Sequence, residues 1–177
     1  ELTVNAAQIP VFKFKFVGIY NAPTDTALPV VSYSAFQTPL VANSTNTPSF
    51  SLFSVSPVLE NLSFQLGNQV DYRTLIGSQY VQITDRKSAG QVQFEANTIA
   101  TKDWFAAGLA NTLGALTLTH GTTTGNKITL TSSTVDLIQP SYADNNGVDL
   151  VTNPAPLLSD YTDMGVTGIG GTGQPTV

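Results

Sequence analysis

The sequence predicts a mainly β domain carrying one helix, on three observations. Charged residues make up 11% of the chain, against about 25% in ordinary soluble domains. The surface must therefore be dressed in Thr, Ser, Asn, Gln and backbone, and Thr is at home on pleated surfaces. Apolar residues recur at every second position in stretch after stretch, the spacing of a half-buried strand. Helical spacing is found convincingly in a single stretch. At 177 residues, 41% of them hydrophobic, the chain is long enough to bury a real core, and it fits one domain of about 100–200 residues.

The elements follow in order. "VFKFKFV", residues 11–17, places Phe12, Phe14 and Phe16 on one face and Lys13 and Lys15 on the other, which predicts a half-buried strand. Residues 18–42 then carry Pro23, Pro29 and Pro39. Proline lacks the N–H that a central strand donates, so this stretch is expected to be a long loop or a two-stranded arm, ending near residue 46. Its Tyr20, Leu28, Val30, Val31, Tyr33 and Phe36 argue for docking onto something rather than for disorder. "PSFSLFSV" and "LENLSFQLGN" resume the alternation with Phe50, Leu52, Leu62, Phe64 and Leu66, and Gly67 with Asn68 supplies turn chemistry.

"QYVQITDRKSAGQVQFEA", residues 79–96, predicts a hairpin: Val81 and Ile83 in one strand, Val92, Phe94 and Ala96 in the next, with Gly90 free to take a positive φ at the bend. The helix is "TKDWFAAGLANTLG". Thr101 would cap it, Asp103 would sit in its first turn, and Gly114 would take the left-handed position after its end. Phe105, Leu109 and Leu113 form the expected apolar stripe, with Trp104 on its margin. Strands return in "ALTLTHG", "NKITLTS" and "TVDLIQP", the first two joined by the loop "GTTTGN". Residues 159–177 form a separate Gly-rich extension with no periodicity, expected to be mobile or held by a neighbour.

Composition limits the partners. A formal net charge of −5 does not support a basic groove for gripping nucleic acid. With no Cys there is no disulfide framework, no thiolate nucleophile and no Cys-based zinc site. No run approaches the ~20 apolar residues of a membrane span, and the start lacks a charged end followed by an apolar core, so neither a span nor a signal peptide is read here. The chain begins with Glu1 and not Met, which leaves open both processing and excision from a longer product.

Catalytic chemistry needs a nucleophile with its base, paired carboxylates or metal ligands. The chain owns one histidine, His120, with no carboxylate beside it in "THGTTTG" to orient the ring, so a structural or solvated role is expected. Asp144 and Asp149 in "ADNNGVD" resemble a calcium loop only faintly, since valine stands where an oxygen ligand is needed and the bidentate glutamate is missing, and a turn is the better reading. "GIGGTG" has neither the preceding strand nor the following helix of a phosphate loop. Trp104 and the phenylalanines are read as core, not as a stacking platform. No catalytic, cofactor or metal site is expected, and an interaction protein remains. A Thr-rich β domain with an apolar-studded arm and open strand edges has features that are hazards in a monomer and joints in an oligomer.

At this point residues 66–96, "LGNQVDYRTLIGSQYVQITDRKSAGQVQFEA", and the helix running into "ALTLTHGTTTGN" resemble the tail tube proteins of long-tailed bacteriophages. Those carry a "TDR"-type turn, a strand ending in Glu-Ala, a helix, then "LTHGT" and a Gly-Asn turn. "YNAPTDTALP", "NTPSF" and "PSYADNNGVDL" match in kind and order, so the resemblance spans Phe12 to Leu158, while the Gly-rich end has no counterpart. It implies two packed antiparallel sheets, as a sandwich or partial barrel over residues 1–158, with a flanking helix. It further implies rings, hexameric or trimeric, stacked into a tube whose lumen passes DNA during ejection without specific binding. The implied partners are further copies of the chain and the terminator, tape measure and distal tail proteins, in a virion tail assembled in the bacterial cytoplasm. An acidic lumen would let DNA slide. Asp85, Arg86 and Lys87 are then candidates for setting the register between subunits, with Tyr20, Tyr33 and Phe36 of the arm as further contacts. Another virion protein of the same fold, such as a terminator or hub, and a receptor-binding or adhesin-like β module are the alternative readings. A carboxylate-only hydrolase is disfavoured because the acids are scattered singly.

Overall fold

In the computed structural model, residues 1–25, 27–28, 30, 37–95, 101–146, 148–155 and 164–167 are described. The strands among them are β1 (Leu2–Asn5), β2 (Val11–Phe12), β3 (Ser49–Leu52), β4 (Leu59–Gln65), β5 (Asn68–Leu75), β6 (Ser78–Arg86) and β7 (Ala89–Glu95). After the helix α1 (Trp104–Leu109) come β8 (Leu113–His120), β9 (Ile128–Asp136), β10 (Ser141–Asn145), β11 (Val148–Ala155) and β12 (Met164–Thr167). They form a six-stranded sheet in the order β10-β11-β7-β4-β1-β2, a four-stranded sheet in the order β12-β9-β8-β3, and a two-stranded ribbon, β5-β6. Every pairing is antiparallel. The described residues are thus mainly β with one short helix.

The period-two reading explains why these segments pair. Leu2, Val4, Leu62, Phe64, Val92, Phe94 and Val151 of the larger sheet and Phe50, Leu52, Leu116, Leu118, Leu130 and Val135 of the smaller one belong to one buried apolar cluster, while the residues between them, buried Ser132 apart, are less buried. Trp104 joins that cluster, its ring edge-on to Phe94 at a centroid distance of 4.9 Å and to Phe53 at 6.3 Å. Such edge-to-face pairs contribute about 0.5–1.5 kcal/mol beyond the area they bury.

Several expectations are corrected. Residues 79–96 do not form a hairpin, because β6 pairs with β5 and β7 pairs with β4. The reversal lies earlier, at the two-residue turn Ile76–Gly77, where Gly77 takes φ +81°. The register then runs Leu75 against Ser78 down to Asn68 against Arg86, and continues from Gln65 against Ala89 in the larger sheet. β4 to β7 are therefore one long hairpin, rooted in the sheet and bent where the ribbon leaves it. Two features go with this pairing: the tight turn closes β5 on β6 locally, and β7, between β4 and β11, buries Val92 and Phe94 in the core. The "TDR" segment accordingly ends a strand, and Gly90 has no positive φ. Gly67, at φ +62°, marks the bend, where a Cβ would overlap the Lys87 carbonyl; only glycine fits there.

The helix is shorter than its pattern. Asp103, not Thr101, caps it, accepting from Ala106 N–H at 2.9 Å. At the other end Asn111, at φ +48°, takes the left-handed position, with Asn111 N–H donating to Gly108 O at 3.2 Å and Thr112 N–H to Ala107 O at 2.9 Å. That is the paired closure of a Schellman motif, and it frees Gly114 to join β8. The expected stripe is wrong as well: Trp104 and Ala107 are the buried residues, and Leu109 and Leu113 are exposed. The cause is Gly108, whose missing side chain lets the helix approach Leu137 O and Pro140 so closely that the small face packs inward.

The strand expected over residues 11–17 stops at Phe12. Its ladder ends where Glu1 and Lys13 exchange backbone hydrogen bonds at 2.9 and 2.8 Å. "NKITLTS" and "TVDLIQP" merge into the single strand β9, with a register irregularity between Gly114 and Leu116. Met164–Thr167, inside the expected extension, pairs with β9, so part of residues 159–177 is strand. Most of that extension lies outside the described residues, as do Tyr33 and Phe36. "GTTTGN" closes the β8-β9 hairpin as expected, and the Asp144–Asp149 segment turns at Asn146, φ +53°.

Candidate assembly surface

The long hairpin carries one candidate surface. Opposed residues of an antiparallel pair share a face, so the register places Val70 with Ile83 and Tyr72 with Val81 on one side of the ribbon, and Asp71 with Gln82 and Arg73 with Tyr80 on the other. Val70, Tyr72, Leu75 and Ile83 are exposed, and Ile76 at the tip is fully so. No ribbon residue belongs to the core cluster. A two-stranded hairpin alone in water is at best marginally stable. This one has modest local support: Thr84 Oγ1 donates to Asp71 Oδ2 at 2.8 Å, and the Arg73 guanidinium lies 5.9 Å from the Tyr80 ring centroid.

Asp85, Arg86 and Lys87 stand at the bend, not at a turn. Asp85 Oδ2 lies 3.4 Å from Lys87 Nζ, and Arg86 N–H donates to Asp85 Oδ1 at 2.8 Å. Both ends of the ion pair are exposed, and such pairs contribute only ~0–1 kcal/mol.

The arm supplies the second candidate surface. Its return is anchored: Ala42 N–H donates to Gln8 O at 2.8 Å, Asn126 Nδ2 to Thr38 O at 3.1 Å, and Gly121 N–H to Asn46 O at 2.6 Å. His120 seals this root. It is buried at the end of β8, its Nδ1 3.0 Å from Thr47 Oγ1. Burial lowers its pKa below the ordinary 6.5, and a backbone hydrogen bond at Leu40 opposes part of that. The structural alternative for His120 is the one observed. Tyr20, Leu28 and Val30, between the anchored ends, are exposed.

The tip lies before residue 79, outside the hairpin expected over residues 79–96. Two period-two runs flank "LIGS", and Gly77 was the available signal. Phe14 and Phe16 are the other surprise: they keep the one-sided spacing, with rings stacked at 6.1 Å, yet are 69% and 87% exposed. Among the described residues, no three His, Asp or Glu side chains gather to hold a metal ion, and no helix is long and apolar enough to cross a membrane.

No family model, curated protein or solved structure matches the chain. Functional argument therefore rests on the surface itself.

Proposed function

We propose that the chain is a structural subunit that assembles with copies of itself, of the tail-tube class its motifs resemble, and that it catalyses no reaction. The observation that carries this reading is the β5-β6 ribbon, a projecting hairpin whose apolar Val70, Tyr72, Ile76 and Ile83 lie outside the core. Exposed apolar side chains grouped on one element in this way mark candidate interaction sites. Sheet edges without a partner among the described strands add to it, since β10 and β2 bound one sheet and β12 and β3 the other, and a ring converts such edges into joints. In this reading the rings stack into a tube, and the net charge of −5 favours passage of DNA over its retention.

Sedimentation velocity of the purified chain tests the proposal. A discrete oligomer growing with concentration is expected, and a monomer at every concentration would count against it. Growth beyond one ring separates a tube subunit from a terminator, which would stop there.

A further inference from the structure

We infer that the Phe14–Phe16 stripe of one copy docks into an apolar groove on a second copy, between β3 and the β1-β4 part of the larger sheet. The groove encloses about 720 Å3, within the ~300–1,000 Å3 range of sites that enclose compact apolar ligands. Its floor is buried Val4, Ala42 and Phe50, and its rim is Val41 and Val58, 38% and 59% exposed. The stripe has the complementary form. Residues 14–17 hold the strand spacing without a described strand partner, with Phe12, Phe14 and Phe16 stacked on one side.

Three observations select a second copy as the occupant. Among the described residues the stripe is exposed and the groove open, so no described segment of the chain fills the groove. Stripe and groove are different patches, so their union is head-to-tail and can close a ring or propagate. Charge also fits at the level of the whole segment: Lys13 and Lys15, on the face away from the phenylalanines, make it cationic, no acid lies between Glu1 and Asp25, and the rest of the chain is acidic. A cationic strand meeting an acidic body gives orientation and a salt-sensitive association rate. The inference rests on the self-assembly reading but names a contact that reading does not require.

The chain has no native Cys, so single cysteines test the contact directly. Phe16→Cys and Val58→Cys replace exposed side chains, and unchanged far-UV circular dichroism would verify the fold. Mixed and oxidised, the two variants should form disulfide-linked dimers at least about tenfold faster than Phe16→Cys mixed with Ser133→Cys on β9, by the effective concentration of a docked pair. Phe14→Ser/Phe16→Ser should weaken association by at least about 100-fold. A Phe16→Cys/Val58→Cys double variant that closes within the monomer, while the mixed singles stay unlinked, would overturn the inference, because the stripe would then fold back on its own groove. Rings without the specific cross-link also overturn it and leave self-assembly standing. Cross-linked dimers without rings would support the contact and retire the tube.

Discussion

Replacing both Ile76 and Ile83 with Ser should separate assembly from folding. Ile76 is fully exposed at the ribbon tip and Ile83 is 46% exposed, and neither belongs to the core cluster. Fully burying an isoleucine contributes about 1.5–3 kcal/mol. If a neighbour covers all of Ile76 and the open half of Ile83, the double variant loses roughly 2–4 kcal/mol per contact. At 1.4 kcal/mol per factor of ten, the assembly concentration should rise about 30- to 800-fold. The monomer should be nearly untouched, since surface changes usually stay within about ±0.5 kcal/mol, or within ~2 °C in melting temperature for a chain of this size. Sedimentation velocity over a concentration series reads the first quantity and a thermal melt the second. Assembly at the wild-type concentration would refute the ribbon's role. A drop of several degrees in melting temperature would instead make the tip part of the fold.

Three further outcomes follow from the geometry. Gly67→Ala puts a Cβ against the Lys87 carbonyl at a positive φ, so it should cost about 1–3 kcal/mol and lower the melting temperature by a few degrees; an unchanged melt contradicts the bend. His120 has a folded-state pKa depressed below 6.5 by burial, so the unfolded chain binds the proton more readily. The stability this provides is present above pH 6.5 and is lost as pH falls through the folded value. Urea midpoints should therefore fall as pH drops below that point, and His120→Gln should flatten the decline over that window; parallel curves would refute it. Asp85→Ala breaks an exposed pair, so it should leave the melt within about 1 kcal/mol of wild type while slowing assembly. Unchanged assembly would return these charges to ordinary solvated surface.

The legible part of the fold was the part set by period two. Phe50, Leu52, Leu62, Phe64, Val92, Phe94, Leu116, Leu118 and Leu130 all point into the core as their alternation requires. Alternation says which face is buried but not which strand lies alongside, so it does not reveal the β4-β7 pairing and sets the reversal too late in the chain. The same limit hid Phe14 and Phe16: their spacing is strand-like, but burial depends on a partner the pattern does not name. The helix failed for a different reason. Leu109 suggested a broad apolar face, whereas close approach at Gly108 and capping by Asp103 and Asn111 decide both its length and its orientation. Charge alone marks Asp85, Arg86 and Lys87 in the sequence, and the structure puts them at the bend. Nothing in a single sequence marks an apolar residue such as Ile76 or Val70 as exposed.

Electron microscopy of the purified chain, taken across a concentration series, tests the central claim most directly. The account predicts closed rings at moderate concentration and stacked tubes of indefinite length above it. Uniform monomers at the highest concentration reached, with the fold intact by circular dichroism, would contradict it.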